Sequence, residues 1–404
     1  MKKLTTLTVL ALLGAVILGG CQKEPVKEGL TDNQKQMKAA VEQYVPNVVY
    51  STYKALADET QGLYELLAAA TKKGTASVTD SDINAICSKF LAARTYWEQS
   101  EAFLYGPATI FGIDPHIDTW PLDAEALALA LSNTAQIEML KGEDGIAYAG
   151  AKLGAELLGF HGIEFILFRN GKNRTAAALK ANEDHEAFSG MTVTGEQELI
   201  YATAVAGDLR DNCYRLYASW NPEAEAKYTS RIEEIEAEIE INGKIYGANM
   251  LGAAALGSSF ETWEEVLSTI LVGGCSNICA EVADVKMGNA HTGEDVNYIE
   301  SPYSEKSFQD FIDNILSIQY SLYGALGASN PGAKSIYTLL GNLGYSDVNK
   351  IQTALKGAID ALKTCQGKGA FVKIYADACV QDAMDAVSDL DDELNKAASW
   401  IVRQ

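Results

Sequence analysis

A histidine and a glutamate lie three residues apart in a strongly apolar stretch of the sequence. From Gly159 to Phe168, His161 and Glu164 are the only ionisable side chains. Their spacing places both on one face of a helix, about one turn apart. A helix that is apolar on all sides is buried, and buried charges must be compensated. A neutral imidazole and a carboxylate can share a metal ion, so this pair is the first candidate for chemistry. A hydrogen-bonded structural pair inside a core is the alternative.

Two glycines flank the histidine. Gly159 and Gly162 each cost a helix roughly 1 kcal/mol relative to alanine, and residues this small let another segment or a ligand approach the backbone closely. The stretch is not His-Glu-x-x-His, because Gly162 follows His161 and Phe165 stands where a second histidine would be. Two ligands do not complete a metal site, so partners are expected from elsewhere in the chain.

Glu98 and Glu101 form a second pair with this spacing, and Arg94 lies one turn before Glu98. Pairs of inward carboxylates on one helix are a common way for helical bundles to bind metals. The alternative is a surface pair of carboxylates neutralised by Arg94.

A proline-rich segment, residues 107–121, follows this pair and is predicted to be an ordered loop rather than regular helix. It contains Asp114, His116, Asp118 and Trp120. Asp118 and His116 are candidate additional metal ligands, and Asp114 can cap a turn.

The elements that position these residues are helices, because helical periodicity dominates and strand patterns are scarce. Asn242-Gly243 and the glycines up to Gly257 mark the best domain boundary, with four long helices on either side. We therefore predict an all-α fold of two tandem four-helix-bundle-like domains, residues 36–241 and 242–404. The predicted helices cover residues 46–73, 81–104, 151–168, 194–219, 222–240, 258–287, 304–326, 345–366 and 374–402. Ser307 and Asp310 resemble a capping box at the start of one of them.

The N-terminus has the features of a bacterial lipoprotein. Residues 1–20 combine a basic start with a short apolar core and are predicted to be a signal peptide. The ending Leu18-Gly19-Gly20-Cys21 resembles a lipobox, which predicts lipidation of Cys21 and a membrane anchor; an ordinary signal with a chance cysteine is the alternative. Residues 21–35 are predicted to be a flexible stalk. Gln22 is not the aspartate that retains lipoproteins at the inner membrane in enteric-type sorting, which favours the outer membrane.

Charge and cysteines limit the partners and the compartment. The formal charge is −22, and removing Lys2 and Lys3 leaves −24 for the mature chain, which argues against nucleic acid and favours cations or basic partners. Outside the cytosol disulfides can form, but the sequence does not decide whether the remaining cysteines are bridged or free. They are Cys87, Cys213, Cys275, Cys279, Cys365 and Cys379.

The order of these motifs resembles the imelysin family. Gly159-x-His161-x-x-Glu164 matches the family's GxHxxE signature. Further similarity is carried by Arg94, Trp97, Glu98 and Glu101, by Asp118-x-Trp120-Pro121, and by Glu300-Ser301-Pro302-Tyr303-Ser304. The resemblance covers roughly residues 40–400 and implies an all-α fold with the signature helix near the interface of two bundles. It implies His161, Glu164, Glu98, Glu101 and Asp118 as metal ligands, with Arg94, Trp97, Gly159, His116 and Trp120 lining the site.

The resemblance also implies what the protein does. Some family members are iron-regulated envelope proteins, so we expect a lipoprotein that binds a metal ion, with iron ahead of zinc or copper, and that works with iron-transport components. A zinc metallopeptidase of the insulin-cleaving type, with Glu164 in a catalytic role, is one alternative. A hydrolytic zinc site normally needs three ligands, an open position and a base, and the sequence shows no base distinct from the ligands. A non-catalytic peptide- or protein-binding lipoprotein is the other alternative.

Overall fold

The computed structural model describes residues 29–404. The predicted signal peptide, Cys21 and the first part of the predicted stalk lie outside these residues. The described chain is almost entirely helical, which confirms the all-α prediction.

Within residues 29–251 the chain forms thirteen helices, among which α2, α3 and α11 are the long ones that pack together. They are α1 (Asp32–Tyr44), α2 (Ser51–Lys73), α3 (Asp80–Glu98), α4 (Pro107–Ile110), α5 (Ile113–Ile117), α6 (Ala124–Ser132), α7 (Thr134–Lys141), α8 (Gly145–Lys152), α9 (Gly159–Leu167), α10 (Ala176–Lys180), α11 (Gly195–Trp220), α12 (Ala226–Glu234) and α13 (Tyr246–Leu251). Short 3₁₀ turns cover Glu101–Phe103, Ala155–Leu157 and Glu186–Phe188, and the antiparallel strands β1 (Phe168–Arg169) and β2 (Lys172–Asn173) form a small hairpin.

The second half contains eight helices, of which α17, α19 and α21 are long and pack in a row. They are α14 (Trp263–Ser268), α15 (Asn277–Ala280), α16 (Gly288–Thr292), α17 (Ser307–Tyr323), α18 (Ile336–Asn342), α19 (Val348–Lys368), α20 (Phe371–Ile374) and α21 (Ala378–Ile401). The π-helical stretches Thr269–Ser276 and Glu281–Met287 join α14, α15 and α16 into one continuous helix.

The first helix begins earlier than the sequence suggested. Thr31 and Gln34 form a capping box, so α1 starts at Asp32, inside the segment predicted as a stalk. The predicted helix start at Pro46 was wrong, because the π-helical stretch Val45–Tyr50 carries the helix from α1 into α2. Proline removes one backbone donor, and the Ser51 hydroxyl donates to the Pro46 carbonyl oxygen within this turn, at 3.0 Å.

Two predictions around the signature stretch need correction. The predicted loop 107–121 contains two short helices, α4 and α5, with Pro107 in the first turn of α4. The predicted helix 151–168 is broken into α8, a 3₁₀ turn and α9. The break covers residues 153–158, and α9 begins at Gly159, whose φ of +62° is a left-handed conformation that a glycine adopts without steric cost.

The hydrophobic core runs through both halves without interruption. α1 packs against α14 and α18, and α3 packs against α17, so elements on either side of residue 242 share buried surface. The boundary at residue 242 stays a prediction.

One helix in the described chain, Trp263–Thr292, is long and apolar enough to cross a membrane. Of its most apolar window, 61% is buried within the protein, and it packs against α21. A core helix of a globular protein has these properties. All six cysteines within residues 29–404 are buried free thiols.

Candidate functional site

The start of α9 is fitted against the loop that carries Asp118. A Cβ atom on Gly159 would lie 1.7 Å from the carbonyl oxygen of Ile117, the residue before Asp118. A Cβ on Gly162 would lie 2.2 Å from the Tyr201 hydroxyl and 2.8 Å from the Leu157 carbonyl oxygen. The two glycines therefore allow the close backbone approach that their spacing predicted, and this approach brings Asp118 to the face of α9 that carries His161.

Both nitrogens of the His161 ring face carboxylates. Nε2 lies 3.1 Å from Asp118 Oδ1, and Nδ1 lies 3.6 Å from Glu164 Oε2. Burial alone would lower the pKa of His161, but the neighbouring carboxylates of Asp118 and Glu164 outweigh it and raise the pKa to about 9. Without a metal, His161 is an imidazolium held between two carboxylates at neutral pH.

Glu164 also contacts the second half of the chain through a hydrogen bond. Its Oε1 accepts a hydrogen bond from the Ser304 backbone N–H at 2.7 Å, while its Oε2 has no hydrogen-bond partner within residues 29–404. The signature glutamate therefore ties α9 to the Glu300–Ser304 segment that precedes α17.

Asp118 is held in its ionised form by α3. The Trp97 indole N–H donates to Asp118 Oδ2 at 2.6 Å, and the Arg94 guanidinium donates to Oδ1. Burial alone would raise the pKa of Asp118, but Arg94 and His161 keep it well below its usual range.

Arg94 contacts four carboxylates of the cluster. Besides Asp118, its guanidinium lies 2.6 Å from Glu98 Oε1, 2.7 Å from Glu300 Oε1 and 3.9 Å from Asp310 Oδ2. These partners come from its own helix α3, from the loop that carries Asp118, from the segment before α17, and from α17 itself. A planar guanidinium with five donors suits such a convergence of carboxylates.

A second buried cation lies next to Arg94. Lys286, in the long helix of the second half, is 1% exposed. Its Nζ is 3.1 Å from Glu300 Oε1, 3.7 Å from Glu98 Oε2 and 3.8 Å from Glu101 Oε1. The Asn314 amide donates to Glu98 Oε2 at 2.6 Å, which adds a neutral partner from α17.

Negative charge exceeds positive charge in this buried cluster. It contains three basic groups, Arg94, Lys286 and His161, against six carboxylates, Glu98, Glu101, Asp118, Glu164, Glu300 and Asp310. Burial raises the pKa of Glu300 to about 7 and raises those of Glu101 and Asp310 well above their usual range. Because ionised carboxylates repel one another at low dielectric, the excess has to be neutralised by protons or by a cation.

The donor set fits a metal ion. Asp118, His161 and Glu300 offer ligand atoms within 4.8 Å of one another, as do Glu98 with Glu300 and Asp310, and Glu98 with Glu101 and Asp118. Glu300 Oε2 is buried and has no hydrogen-bond partner in the described part of the chain. A buried polar atom without a partner is costly, and a mixture of imidazole and carboxylate is the kind of donor set that binds first-row transition metals.

The sequence-predicted residues are distributed unevenly around this centre. Asp118, His161, Glu98 and Glu101 lie in the cluster with Arg94 and Trp97, and Glu164 adjoins it on the far side of the His161 ring. His116 faces away, with its Nε2 2.8 Å from Asp208 Oδ2 in a separate cleft of about 340 Å³. The Trp120 ring packs against the Tyr298 ring, with centroids 4.0 Å apart and planes tilted by 45°.

Three residues of the cluster were missed by sequence reasoning. Asp310 was interpreted as part of a capping box with Ser307, which was wrong, because no side chain caps α17. Its Oδ2 instead accepts from the Ser301 hydroxyl at 2.5 Å. Glu300 was recognised only as part of the motif Glu300–Ser304. Lys286 was not recognised, although a lysine in a helix otherwise rich in apolar residues could have indicated a buried charge.

The C-terminal end of α9 is held by a second ionic network. The Arg174 guanidinium donates to the Ile166 carbonyl oxygen at 3.1 Å and to Glu198 Oε1 at 2.7 Å. Arg169 donates to the Phe165 carbonyl oxygen and, at 3.0 Å, to Glu183 Oε2. The last carbonyl groups of a helix lack intrahelical partners, so these arginines fix the end of the helix that carries His161.

The fold and the site together define an all-helical protein with a buried histidine–carboxylate cluster where its two halves meet. Comparison with known families identifies the group. The family model described as Imelysin matches residues 49–397, and the chain belongs to that family.

Relatives agree with this assignment. The chain is 24% identical over 274 residues to "Iron-regulated protein A" of Synechococcus elongatus, and the match covers 68% of this chain but only 61% of that protein. A crystal structure described as an iron-regulated protein A precursor from Parabacteroides distasonis has a TM-score of 0.72 at 24% identity, covering 93% of this chain and 97% of that one. An imelysin-like protein from Psychrobacter arcticum has a TM-score of 0.57 at 13% identity, covering 90% and 94%. These structures establish the shared fold.

Proposed function

We propose that this protein is a cell-envelope lipoprotein that binds a metal ion, iron ahead of zinc or copper, in connection with iron uptake. The observation that carries the proposal is the buried cluster in which Asp118, His161 and Glu300 converge while Glu300 Oε2 lacks a hydrogen-bond partner among the described residues. A cation there would neutralise the excess of carboxylates.

Three residues would hold the ion first. His161 supplies a nitrogen once its proton is displaced, and Asp118 and Glu300 supply oxygens. Arg94 and Trp97 keep Asp118 oriented, and such supporting contacts matter nearly as much to a metal site as the ligands themselves. The metal would supply a compact positive charge at the centre of the cluster.

Two observations outside the site favour iron as the bound metal. A relative is named "Iron-regulated protein A", and one structural neighbour is described as a precursor of such a protein. Carboxylate and imidazole donors are compatible with iron. The lipobox ending at Cys21 supports attachment to a membrane, and the residue after it favours the outer one.

The peptidase alternative is disfavoured by burial. His161 is 3% exposed and Glu164 is 1% exposed, so a protein substrate has no direct access to either side chain. A hydrolytic zinc site also needs an open coordination position and a separate base. Chelator-sensitive cleavage of a protein substrate, abolished by Glu164→Gln, would be required to restore this alternative.

The test is calorimetric titration of the purified protein with ferrous, ferric, zinc and cupric ions. We expect saturable binding that weakens at least tenfold in His161→Ala and Glu300→Gln, because each change removes a ligand atom. His291→Ala is the matched control, since His291 bonds the Tyr375 carbonyl oxygen at 2.7 Å, away from the cluster. Equal affinity in all variants would refute the site. Absence of binding in the unmodified protein would leave the cluster as a structural clasp and favour a peptide- or protein-binding lipoprotein.

A further inference from the structure

Lys286 lies among three buried carboxylates, each of which also belongs to a group able to ligate a metal ion. Its ammonium contacts Glu300, Glu98 and Glu101 at 3.1–3.8 Å. A three-donor ammonium among three carboxylate oxygens makes contacts that resemble those of a bound cation.

The backbone around Lys286 is also unusual. Lys286 belongs to the π-helical stretch Glu281–Met287, within the helix whose composition is apolar enough for a membrane. Short π-helical segments occur often at functional sites. Burying a lysine in an apolar helix requires its charge to be desolvated, which costs free energy. Glu98 does not depend on Lys286 alone, because the Asn314 amide also donates to it.

We propose that Lys286 is an internal competitor of the metal ion, which lowers the affinity of the site and makes binding reversible. An incoming cation must share or displace the ammonium at Glu300, the one glutamate that contacts Lys286, contacts Arg94 and belongs to the group with His161. The residue is therefore a determinant of affinity rather than a ligand. This inference rests on the proposed metal site.

The test compares three substitutions of Lys286 in the purified full chain, with ferrous and zinc ions as the probes. Lys286→Gln removes the charge but keeps a hydrogen-bond donor, and we expect it to raise metal affinity at least tenfold. Lys286→Met removes both the charge and the donor, and it should raise metal affinity by as much as Lys286→Gln does, or by more. Lys286→Arg keeps the charge and should stay within about threefold of the unmodified protein, because the competitor is retained. Lys334→Gln is the control for an exposed lysine.

Folding is measured alongside binding, because a neutral residue leaves the carboxylates less compensated. A Gln variant that melts at a lower temperature without metal, and recovers when either ion is added, would support the proposal, since the ion then replaces the ammonium. A Gln variant that stays unfolded at saturating metal while the Arg variant folds would overturn it.

The outcomes separate this inference from the proposed function. Binding in the unmodified protein that is lost in His161→Ala but unchanged in Lys286→Gln and Lys286→Met would overturn the role of Lys286 alone. No binding in the unmodified protein or in any Lys286 variant would overturn both. Binding that appears only in the neutral variants would support Lys286 as the competitor and show that it keeps the native site closed to these ions.

Discussion

The substitution Gly159→Ala tests how tightly the signature helix is fitted to the Asp118 loop. Gly159 has a φ of +62°, and a Cβ atom there would lie 1.7 Å from the Ile117 carbonyl oxygen. Gly112, earlier in the chain, has a φ of +63°, but a Cβ atom there would meet no other group within 4 Å. The two positions therefore share the conformational cost of alanine and differ in the collision.

The magnitudes follow from these two contributions. An L-residue in the left-handed region costs roughly 1–2 kcal/mol, which is the whole effect expected for Gly112→Ala. At Gly159 the backbone of Ile117 must also move, and forced repacking of this kind costs typically about 1–3 kcal/mol more. Together these contributions predict that Gly159→Ala loses about 2–5 kcal/mol of unfolding free energy. A shift of Ile117 should also move Asp118 relative to His161, so we expect the affinity of the proposed metal site to fall.

The assay is urea denaturation followed by circular dichroism, with the midpoint and the slope fitted for both variants. The measured quantity is the difference in stability between Gly159→Ala and Gly112→Ala. If the two variants agree within about 0.5 kcal/mol, a difference expected between unrelated surface sites, the fitted contact with Ile117 is not what the glycine provides.

Three further predictions concern the cluster and α21. Arg94→Met should destabilise the protein by about 3–5 kcal/mol, because it leaves buried carboxylates without their cation; urea denaturation at neutral pH checks this, and a loss well below that range would contradict it. The pKa of His161 is raised to about 9 from 6.5, so its stabilising charge is fully present below pH 6.5 and is lost as the pH rises through about 9. The stability advantage over His161→Gln should therefore shrink by on the order of 3 kcal/mol between pH 6 and pH 10, and a pH-independent difference would refute the paired imidazolium. Leu390→Ala should cost about 2–5 kcal/mol, whereas the exposed neighbour in Asp389→Ala should change stability by less than about 0.5 kcal/mol; both are measured by thermal or urea unfolding.

Helices with a regular apolar stripe could be predicted from the sequence. The helix predicted over 374–402 is confirmed by α21, whose apolar stripe, with residues spaced three and four apart, is fully buried: Val380, Ala383, Val387, Leu390, Leu394, Ala397 and Ile401. The prediction of a helix over 194–219 is confirmed by α11, whose start is fixed by a capping box at Thr194. In these elements local periodicity and tertiary packing agree, so one predicts the other.

The signature stretch was predicted in composition but not in extent. The segment 151–168 was predicted as one helix, because periodicity alone does not reveal extended residues or a single residue with positive φ. Where α9 begins, at Gly159, the carbonyl oxygen of Ile117, a residue far earlier in the chain, occupies the space that a side chain would need. Contacts of this kind are visible only in the folded chain.

The cluster was predicted best where its residues share one helix face. The spacing of His161 and Glu164, and of Arg94 and Glu98, signals a buried polar pair within each helix. Asp310 was concealed because its neighbour Ser307 suggested a local cap, and local hydrogen bonding is the usual explanation for such a pair. Long-range partners of this kind have no signature in the sequence around them.

The contacts between the two halves of the chain also bear on the order in which the protein folds. Arg94 and Glu300 are separated by 206 positions along the chain, and Glu98 and Asn314 by 216. A chain whose first half alone has folded keeps Glu98, Asp118 and Glu164 in contact with water, since α17 and its preceding segment are not yet in place to cover them. Contacts between residues so far apart form more slowly than local helices, so we expect these carboxylates to be desolvated late in folding. Capture of an ion at the proposed site would then report completed folding, because a truncated chain lacks Glu300 and a half-folded chain has not yet brought Glu300 to His161.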